Sequence, residues 1–330
     1  MKKLSRRQFI ASSAGLALAL AIPGCGWLAD KPIAIAAHVW PGYEPMFLAR
    51  SEGWLDAEQV RLVETTSATG SLQALADGKV DGAALTLDEV LRGRAMGLPL
   101  SVVMVFDVSA GADVLIARPG IKKLADLKGR RIGYEPGALG ALMLAEALRA
   151  AHLTQNDVKP VPFTIDKQHE AWMNDQVDAL ITYEPVSSQL LSQGAVTLFD
   201  SRRIPNTIID VLAVRGDILD QRHAAAIRHL LSAHFRALDH LNRNPQDAAF
   251  RMASHMNLPA SDVLPAFKGL VLPDADNNRR LLTGAAPELR ETASKVSHVM
   301  VETKLLPRDD DMKGLIHAEF LPSPTAESHP

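Results

Sequence analysis

The chain contains three tyrosines, and each lies in the same triplet, Tyr-Glu-Pro. The triplets are Tyr43-Glu44-Pro45, Tyr134-Glu135-Pro136 and Tyr183-Glu184-Pro185. An aromatic ring beside a carboxylate can hold a cation, because the ring face attracts positive charge and the carboxylate accepts charge-assisted hydrogen bonds. The repeated triplet therefore predicts a site for a cationic or amidine-like group.

Further residues with the same chemistry accompany the triplets. Trp40 precedes the first triplet, and other acids fall where β-strands are predicted to end: Asp88, Glu89, Asp107 and Asp113. This set favours a nitrogenous organic ligand such as a pyrimidine or an amine. The alternative interpretation is that most of these acids are helix caps and solvated charges at a rim.

A second pattern favours an anion instead. Thr69-Gly70-Ser71 lies at a predicted helix start, where backbone N–H groups could hold phosphate, sulfonate or nitrate. The same residues are equally typical of a plain helix N-cap. Gly137 and Gly140 permit close approach of the backbone to a ligand, or form a simple turn. Both ligand classes stay open at this stage.

Catalytic and metal motifs are absent from the sequence. It contains no GxSxG elbow, Walker loop or HExxH motif, and Cys25 is its only cysteine, which excludes an internal disulfide and a CxxC site. His223, His229, His234 and His240 are five or six residues apart, so we expect surface helix residues rather than metal ligands. We predict no cofactor, no metal and no enzymatic activity.

The N-terminus reads as an export signal. Four basic residues precede an apolar run from Phe9 to Ile22, which is too short for a comfortable membrane span. Ser5 to Ile10 looks like the twin-arginine export motif, although ordinary secretion stays open. Ile22 to Cys25 resembles a lipobox, so we predict that Cys25 is lipidated and anchors the protein to the inner or outer membrane.

Net charge and chain length indicate the class of partner and the number of domains. Removal of residues 1–24 leaves 31 basic and 38 acidic residues, a net charge of about −7. Nucleic acid is therefore not an expected partner. About 300 residues can bury a large core and are expected to form two domains.

Short apolar runs alternate with amphipathic ones from Pro32 onward, which predicts an α/β fold with mixed, mostly parallel sheets flanked by helices. At each triplet a strand is expected to end at the tyrosine and a helix to begin at the proline, which suits a first helical turn. Ligands bind at the carboxyl ends of strands in such sheets. We therefore predict that the three tyrosine hydroxyls surround one pocket.

The order of several motifs resembles a known family. These motifs are Trp40 to Arg50, Leu75 to Ala83, Leu124 to Gly133, Gln176 to Ala179 and the third triplet. The resemblance is to the periplasmic substrate-binding proteins of ABC importers in the nitrate, sulfonate, taurine, bicarbonate and thiamine-precursor group, described as NMT1/THI5-like. It covers roughly residues 33–300.

That resemblance implies a two-lobed periplasmic binding protein of type II. Its segments would be a signal peptide with lipobox at 1–25, lobe one at 30–114 and 208–300, lobe two at 115–207, and a C-terminal helix and tail at 301–330. Two crossing hinge strands would lie near Asp113–Ile116 and Ile209–Leu212. The family's binding loops would map onto Trp40–Glu44, Thr69–Ser71, Thr86–Glu89, Asp107–Asp113, Glu135–Gly140 and Tyr183-Glu184.

The resemblance also implies partners. A monomer in the periplasm would capture a small molecule and deliver it to the permease and ATPase subunits of an ABC importer. Alternatives are a lipoprotein that signals to a membrane sensor, or a binder of nitrate, sulfonate or bicarbonate. The family's enzymatic branch carries a cysteine-rich motif, which a chain with Cys25 alone cannot supply.

Overall fold

A computed structural model describes residues 31–137 and 139–323. The predicted signal peptide, the lipobox and Cys25 lie outside the described residues. Within the described part, the strands are β1 Ile33–Ala37, β2 Val60–Glu64, β3 Gly82–Thr86, β4 Leu100–Ser109, β5 Val114–Ala117, β6 Arg131–Tyr134, β7 Lys159–Pro162, β8 Ala179–Thr182, β9 Val196–Asp200, β10 Ile209–Arg215 and β11 Leu270–Val271.

Helices alternate with these strands and then fill the C-terminal third of the described chain. They are α1 Glu44–Ser51, α2 Ala68–Ala76, α3 Leu87–Ala95, α4 Leu139–Ala150, α5 Ile165–Met173, α6 Val186–Ser192, α7 Ala224–Arg243, α8 Pro245–Met256, α9 Ala260–Ala266, α10 Ala275–Leu282 and α11 Glu288–Glu302. No helix among the described residues is long and apolar enough to cross a bilayer.

The first sheet has six strands in the order β11-β4-β10-β3-β1-β2. Strand β1 is parallel to β2 and β3, whereas β10 runs antiparallel to both β3 and β4. Every residue of β1 and of β3 is buried, as expected for strands covered by helices on both faces. This sheet and its helices form the largest hydrophobic core of the described chain.

The second sheet has five strands in the order β7-β6-β8-β5-β9. Side chains alternate along β5: Leu115 and Ala117 join one core, and Val114 and Ile116 join a second core on the other face. This period of two follows from the pleat of a strand. The sheet is therefore apolar on both faces and is covered by α4 on one and by α5 and α6 on the other.

Two short links connect the sheets, residues 110–113 and 201–208. The predicted hinge strands directly follow these links: β5 begins after the first link and β10 after the second. Strand β5 pairs within the five-stranded sheet and β10 within the six-stranded one. The links lie side by side because Ser109 and Ser201 share a hydroxyl hydrogen bond of 2.8 Å. Strand residues satisfy their backbone in a ladder, and the residues between the ladders, Ala-Gly-Ala-Asp at 110–113 and Ser-Arg-Arg-Ile-Pro-Asn-Thr-Ile at 201–208, make the crossing.

Residues 301–330, predicted as a C-terminal helix and tail, contain little helix in their described part. Helix α11 ends at Glu302, and the described residues after it contain only a 3-10 turn at Ala318–Phe320. The chain turns back instead because Arg94 pairs with Asp310, at 2.7 Å between Nε and Oδ2. The prediction of surface histidines is also wrong for His234, which is buried against Phe106.

Strand β4 would be an open edge over most of its length, and three elements cover it. Strand β11 pairs with its last residues, the C-terminal segment bonds Val102 on both its N–H and C=O, and Asn278 covers the middle. The Asn278 Oδ1 accepts from Val105 N at 2.7 Å, and its Nδ2 donates to Val105 O at 3.0 Å. A side-chain amide thus replaces a missing strand partner.

Replacing Asn278 by Ala is expected to lower the free energy of unfolding by about 2–4 kcal/mol, because the buried N–H and C=O of Val105 lose their partner. Urea denaturation followed by circular dichroism measures this loss. The control is Asn277→Ala, since the Asn277 side chain makes only an exposed contact with Arg280. Equal stability of the two variants would contradict the assigned role.

Candidate ligand-binding site

A cleft lies between the two sheets and draws its walls from both. Its described lining residues are His38, Trp40, Tyr43, Ala68, Thr86, Glu89, Asp113, Glu135, Leu139, Gly140, Gln168, Ile181, Tyr183 and Asp210. None of these is a lysine or an arginine. The enclosed cavity measures about 30 Å³, which is room for about two water molecules.

Two carboxylates bridge the cleft in a reciprocal manner. Glu89, in the first turn of α3, accepts the backbone N–H of Leu139 at the start of α4, with 3.3 Å between N and Oε1. Glu135 follows β6 and accepts the N–H of Thr69, in the first turn of α2, at 2.9 Å. Each carboxylate thus lies at the positive end of a helix dipole from the other side. The helix N-termini that would suit an oxyanion are occupied by the protein's own acids.

The back wall of the cleft contains a pair of aspartates. Asp107 on β4 and Asp210 on β10 are directly opposite in the antiparallel ladder. Burial raises the pKa of Asp107 to about 7. Burial, with the charge of Asp107 second, raises the pKa of Asp210 well above its ordinary range. Because two adjacent buried carboxylates cannot both ionise cheaply, the pair retains a proton near neutral pH.

A tight turn at Pro41–Tyr43 supplies hydrogen-bond donors to this pair. Trp40 Nε1 donates to Asp107 Oδ2 at 2.9 Å, and the Tyr43 hydroxyl donates to Asp210 Oδ1. The turn approaches so closely that a Cβ on Gly42 would lie 1.7 Å from Asp107 Oδ2. Only glycine fits between the turn and the aspartate, which explains the spacing of the Trp-Pro-Gly-Tyr segment.

The cleft therefore has no positive side chain at neutral pH among its described lining residues. His38 is its one basic group, and burial lowers the pKa of His38 to about 4, so its ring is neutral. The His38 Nε2 lies 3.1 Å from the Tyr183 hydroxyl, which comes from the opposite wall. Trp40 also meets Tyr183 edge to face, with ring centroids 5.2 Å apart. Aromatic rings and acids dominate the surface that a ligand would meet.

Seven of the predicted binding residues lie at this cleft or directly behind it. Trp40, Tyr43, Thr86, Glu135 and Tyr183 line the cleft. Asp107 lies behind Trp40, and Asp88 is buried beside Thr86 in the same helix start. Their position agrees with the rule that ligands bind at the carboxyl ends of strands, since they lie near strand ends or in the segments that follow them.

Other predicted residues lie away from the cleft. Glu44 is fully buried, but its carboxylate accepts from His255 Nδ1 at 2.8 Å beneath α8. Glu184 bonds the Ser188 hydroxyl one turn further along, at 2.7 Å. Gly70 and Ser71 belong to the N-terminal turn of α2, where Ser67 Oγ accepts the Gly70 N–H as an ordinary N-cap. This contact is the one that the plain capping interpretation predicts, and a ligand role for these two residues stays a prediction.

The second triplet departs from the expectation of a shared pocket. Tyr134 does not line the cleft and instead borders a surface hollow beside Leu148 and Arg149. Successive side chains leave a strand on opposite sides, so Glu135 reaches the cleft and Tyr134 cannot. Thr69 and Gly137 border another shallow hollow next to the cleft.

The predicted strand-to-helix junctions also differ in detail. Tyr43 lies in a 3-10 turn rather than at a strand end, and α4 begins at Leu139, three residues beyond Pro136.

Three polar lining residues were not predicted, His38, Gln168 and Asp210, and neither were the apolar Ala68 and Ile181. His38 directly follows β1, and Asp210 is the second residue of β10. A polar residue next to one end of an apolar strand was therefore the available signal. Gln168 lies inside α5 and carries no comparable signal. The described residues contain no cluster of histidines, cysteines or acids arranged to hold a metal ion.

Residues 40–248 match the sequence model of a family described as NMT1/THI5 like. An Escherichia coli protein provisionally named an aliphatic sulfonates-binding protein is 29% identical over 252 residues, 71% of this chain and 78% of that protein. A 4-amino-5-hydroxymethyl-2-methylpyrimidine phosphate synthase of Schizosaccharomyces pombe is 28% identical over 160 residues, 48% of this chain and 46% of the synthase.

Solved structures share the architecture. The periplasmic aliphatic sulphonate binding protein SsuA from Escherichia coli superimposes with a TM-score of 0.69 at 23% identity, over 87% of this chain and 97% of that one. The alkanesulfonate-binding protein SsuA from Xanthomonas axonopodis pv. citri, bound to MOPS, gives a TM-score of 0.70 at 19% identity, over 85% and 96%. The fold is therefore that of the periplasmic binding proteins.

Replacing Asp113 by Asn is expected to stabilise the unliganded protein at high pH. Burial raises the pKa of Asp113 from its ordinary 3.8 to about 7, so between these pH values the folded state binds a proton that the unfolded chain releases. The free energy of unfolding of the unaltered protein therefore falls as pH rises from about 4 to about 7. The variant avoids this fall and should be more stable by about 2–4 kcal/mol at pH 8, and equal near pH 4.

Urea denaturation at pH 4, 6 and 8 tests this expectation. The control is Glu58→Gln, which removes an exposed carboxylate and should change stability by less than about 0.5 kcal/mol at each pH. A variant no more stable than the unaltered protein at pH 8 would mean that the Asp113 charge is compensated.

Proposed function

The chain belongs to the NMT1/THI5-like family, and from that membership we propose that it is an extracytoplasmic solute-binding protein of an ABC importer. Its ligand is a small cationic, nitrogen-containing organic molecule, such as an amine or an aminopyrimidine. The observation that carries the choice of ligand is the occupation of the cleft's helix N-termini by Glu89 and Glu135.

An anionic ligand suits this cleft poorly. A sulfonate or nitrate binds best to free backbone N–H groups at a helix start or to basic side chains. Here the N–H groups of Thr69 and Leu139 already have carboxylate partners, and no described lining residue is basic apart from the neutral His38. The relatives named for sulfonates support solute binding by this fold, while these contacts favour the opposite charge in this chain.

A cation gains from the same surroundings. Asp113 and Asp210 supply negative charge or hydrogen-bond acceptors, and the rings of Trp40, Tyr43 and Tyr183 line the cleft around them. A cation on an aromatic face gains about 0.5–2 kcal/mol, most when water is excluded. Positive charge would also relieve the mutual repulsion of the buried carboxylates.

Ligand entry requires the two sheets to separate. The cavity of about 30 Å³ is too small for a solute of more than a few heavy atoms. We propose the two lobes suggested by the sequence, residues 30–114 with 208–300 and residues 115–207, but with Val114 in lobe two because it pairs in the five-stranded sheet. The links at 110–113 and 201–208 are the proposed hinge. Opening breaks the cross-cleft contacts of Glu89, Glu135 and Tyr183. A ligand that touches both walls shifts the equilibrium back to the closed form.

Binding rather than catalysis is the role we propose. One relative of this chain is named a pyrimidine phosphate synthase, but the single cysteine of this chain, Cys25, precedes the family match at residues 40–248. The cleft acids also make contacts that suit a receptor: Glu89 and Glu135 each accept hydrogen bonds from backbone N–H groups through both carboxylate oxygens.

Membrane attachment through Cys25 completes the proposal. The N-terminal segment has the order of an export signal followed by a lipobox-like Ile-Pro-Gly-Cys. A diacylated cysteine would hold the binding domain near its permease while leaving it in water.

Amines and aminopyrimidines are expected to raise the melting temperature of the mature protein, whereas ethanesulfonate, nitrate and bicarbonate are not. A ligand at about 100 times its dissociation constant adds about 2.7 kcal/mol to the free energy of unfolding. Differential scanning fluorimetry with 4-aminopyrimidine and benzylamine against the three anions measures the difference. A response to anions alone would refute the cationic ligand and leave the transport role standing.

The matched variants Tyr183→Leu and Tyr134→Leu test whether the cation binds in this cleft. Each tyrosine begins one copy of the Tyr-Glu-Pro triplet and is half-buried, but only Tyr183 lines the cleft. Loss of its ring should weaken cation binding roughly fivefold, since a ring–cation contact is worth on the order of 1 kcal/mol. Equal weakening by both variants would mean that the ligand does not bind in this cleft.

Replacing Cys25 by Ser is expected to release the protein from the membrane, because the serine cannot be acylated as the cysteine is. Palmitate labelling and cell fractionation in a bacterial host measure this change. Ser12→Ala, in the apolar part of the signal, is the control and should stay acylated. An unlabelled parent protein would show that the segment is an ordinary cleaved signal.

A further inference from the structure

Asp113 differs from every other carboxylate that lines the cleft. The residue is 1% exposed, and no hydrogen bond of ordinary length and angle reaches either carboxylate oxygen from the described residues, although the nearby Ser109 hydroxyl acts to lower the pKa of this carboxyl. By contrast, Glu89 and Glu135 each accept backbone N–H groups, and Asp210 accepts from Tyr43. A buried carboxylate without a partner is costly, and a native protein retains one where something else will bind it.

The backbone of Asp113 is held firmly although its side chain is not. Asp113 N donates to Ser109 Oγ at 3.3 Å, and its carbonyl accepts from Ser201 N at 3.0 Å. Ser201 belongs to the other link, so both links hold this residue in place. The carboxylate is therefore presented to the cleft from the point where the two sheets join, and its position is set before a ligand arrives.

Three other buried atoms of the cleft lining lack a partner: His38 Nδ1 and Thr86 Oγ1, which can donate or accept, and Gln168 Oε1, which only accepts. Gln168 Oε1, from α5 on the opposite wall, is buried without a partner. Together with Asp113 it offers three acceptor oxygens to whatever enters. A quaternary ammonium ion would balance the charge, but it has no N–H to satisfy these oxygens. A neutral amide would supply N–H groups without balancing the charge.

We propose that Asp113 is the specificity-determining residue of this cleft, and that it pairs with a ligand group carrying both positive charge and at least two N–H donors. Amidinium, guanidinium and protonated amino-heterocycles have this character. Two parallel N–H groups match the two oxygens of one carboxylate, as in bidentate arginine pairs. This inference rests on the proposed cationic ligand and adds the residue and the donor pattern that select it.

Three probes of similar size separate charge from hydrogen bonding: benzamidinium, benzyltrimethylammonium and benzamide. Isothermal titration calorimetry on the mature protein is expected to show benzamidinium binding roughly tenfold or more tighter than either other probe. Asp113→Asn should remove this preference, and benzamide should then bind at least as well as benzamidinium. Glu184→Gln is the control, because Glu184 bonds Ser188 outside the cleft, and it should leave the order of affinities unchanged.

The outcomes distinguish the inference from the function it rests on. Benzamidinium binding that survives Asp113→Asn, or benzyltrimethylammonium binding as tightly as benzamidinium, would overturn the role of Asp113 and leave a cation-binding protein. Binding of ethanesulfonate but none of the cations would overturn both. Failure of all probes to bind would count against both as well.

A spectroscopic measurement guards against an indirect effect of the substitution. With carboxyl-¹³C aspartate, the resonance that disappears in Asp113→Asn identifies residue 113. It should shift on addition of benzamidinium and stay in place with benzamide. If benzamidinium binds and the resonance of residue 113 does not shift, the proposed direct contact is wrong.

Discussion

The exchange of carboxylates across the cleft is the contact on which the rest of the site depends. Glu89 reaches the start of α4 and Glu135 reaches the start of α2, so each side neutralises a helix N-terminus of the other. Burial raises the pKa of Glu89 well above its ordinary range, and backbone N–H groups at a helix start are among the few neutral partners that can hold such a carboxylate. These contacts hold the two walls of the cleft together, and they place acids where free helix N–H groups would otherwise face the ligand.

The charge of the cleft therefore depends on these side chains and not on the fold. The chain shares its architecture with proteins named for sulfonates, and in this architecture the helix starts around the cleft are natural anion sites. An acid placed at such a start converts an anion site into part of an acidic wall without changing the scaffold. The aspartate pair on β4 and β10 strengthens the effect, and shared protons make its burial tolerable. Ligand class thus depends on a few side chains at strand ends.

Much of the scaffold could be predicted because local patterns determine it. The run from Val60 to Glu64 predicts a strand, and β2 has the same ends, since a short apolar run between polar turns has few alternatives. The sequence predicts a helix from His169 to Gln176, whereas α5 spans Ile165–Met173, because a polar helix with one buried side offers a weak signal. The described C-terminal segment was mispredicted because its course depends on packing against β4 and on Arg94, more than 200 residues away.

The sequence by itself determined the alternating α/β order, the lack of cysteine chemistry after Cys25 and the concentration of acids and aromatic residues at strand ends. These follow from composition and from the periods of strand and helix, which act over a few residues. Only the tertiary structure decided which of these residues meet. Glu44 and Glu135 occupy the same triplet, yet one pairs with His255 and the other with Thr69. Asp107 faces Asp210 through strand register. Side-chain direction and long-range register are set by packing of the whole chain, so no local pattern contains them.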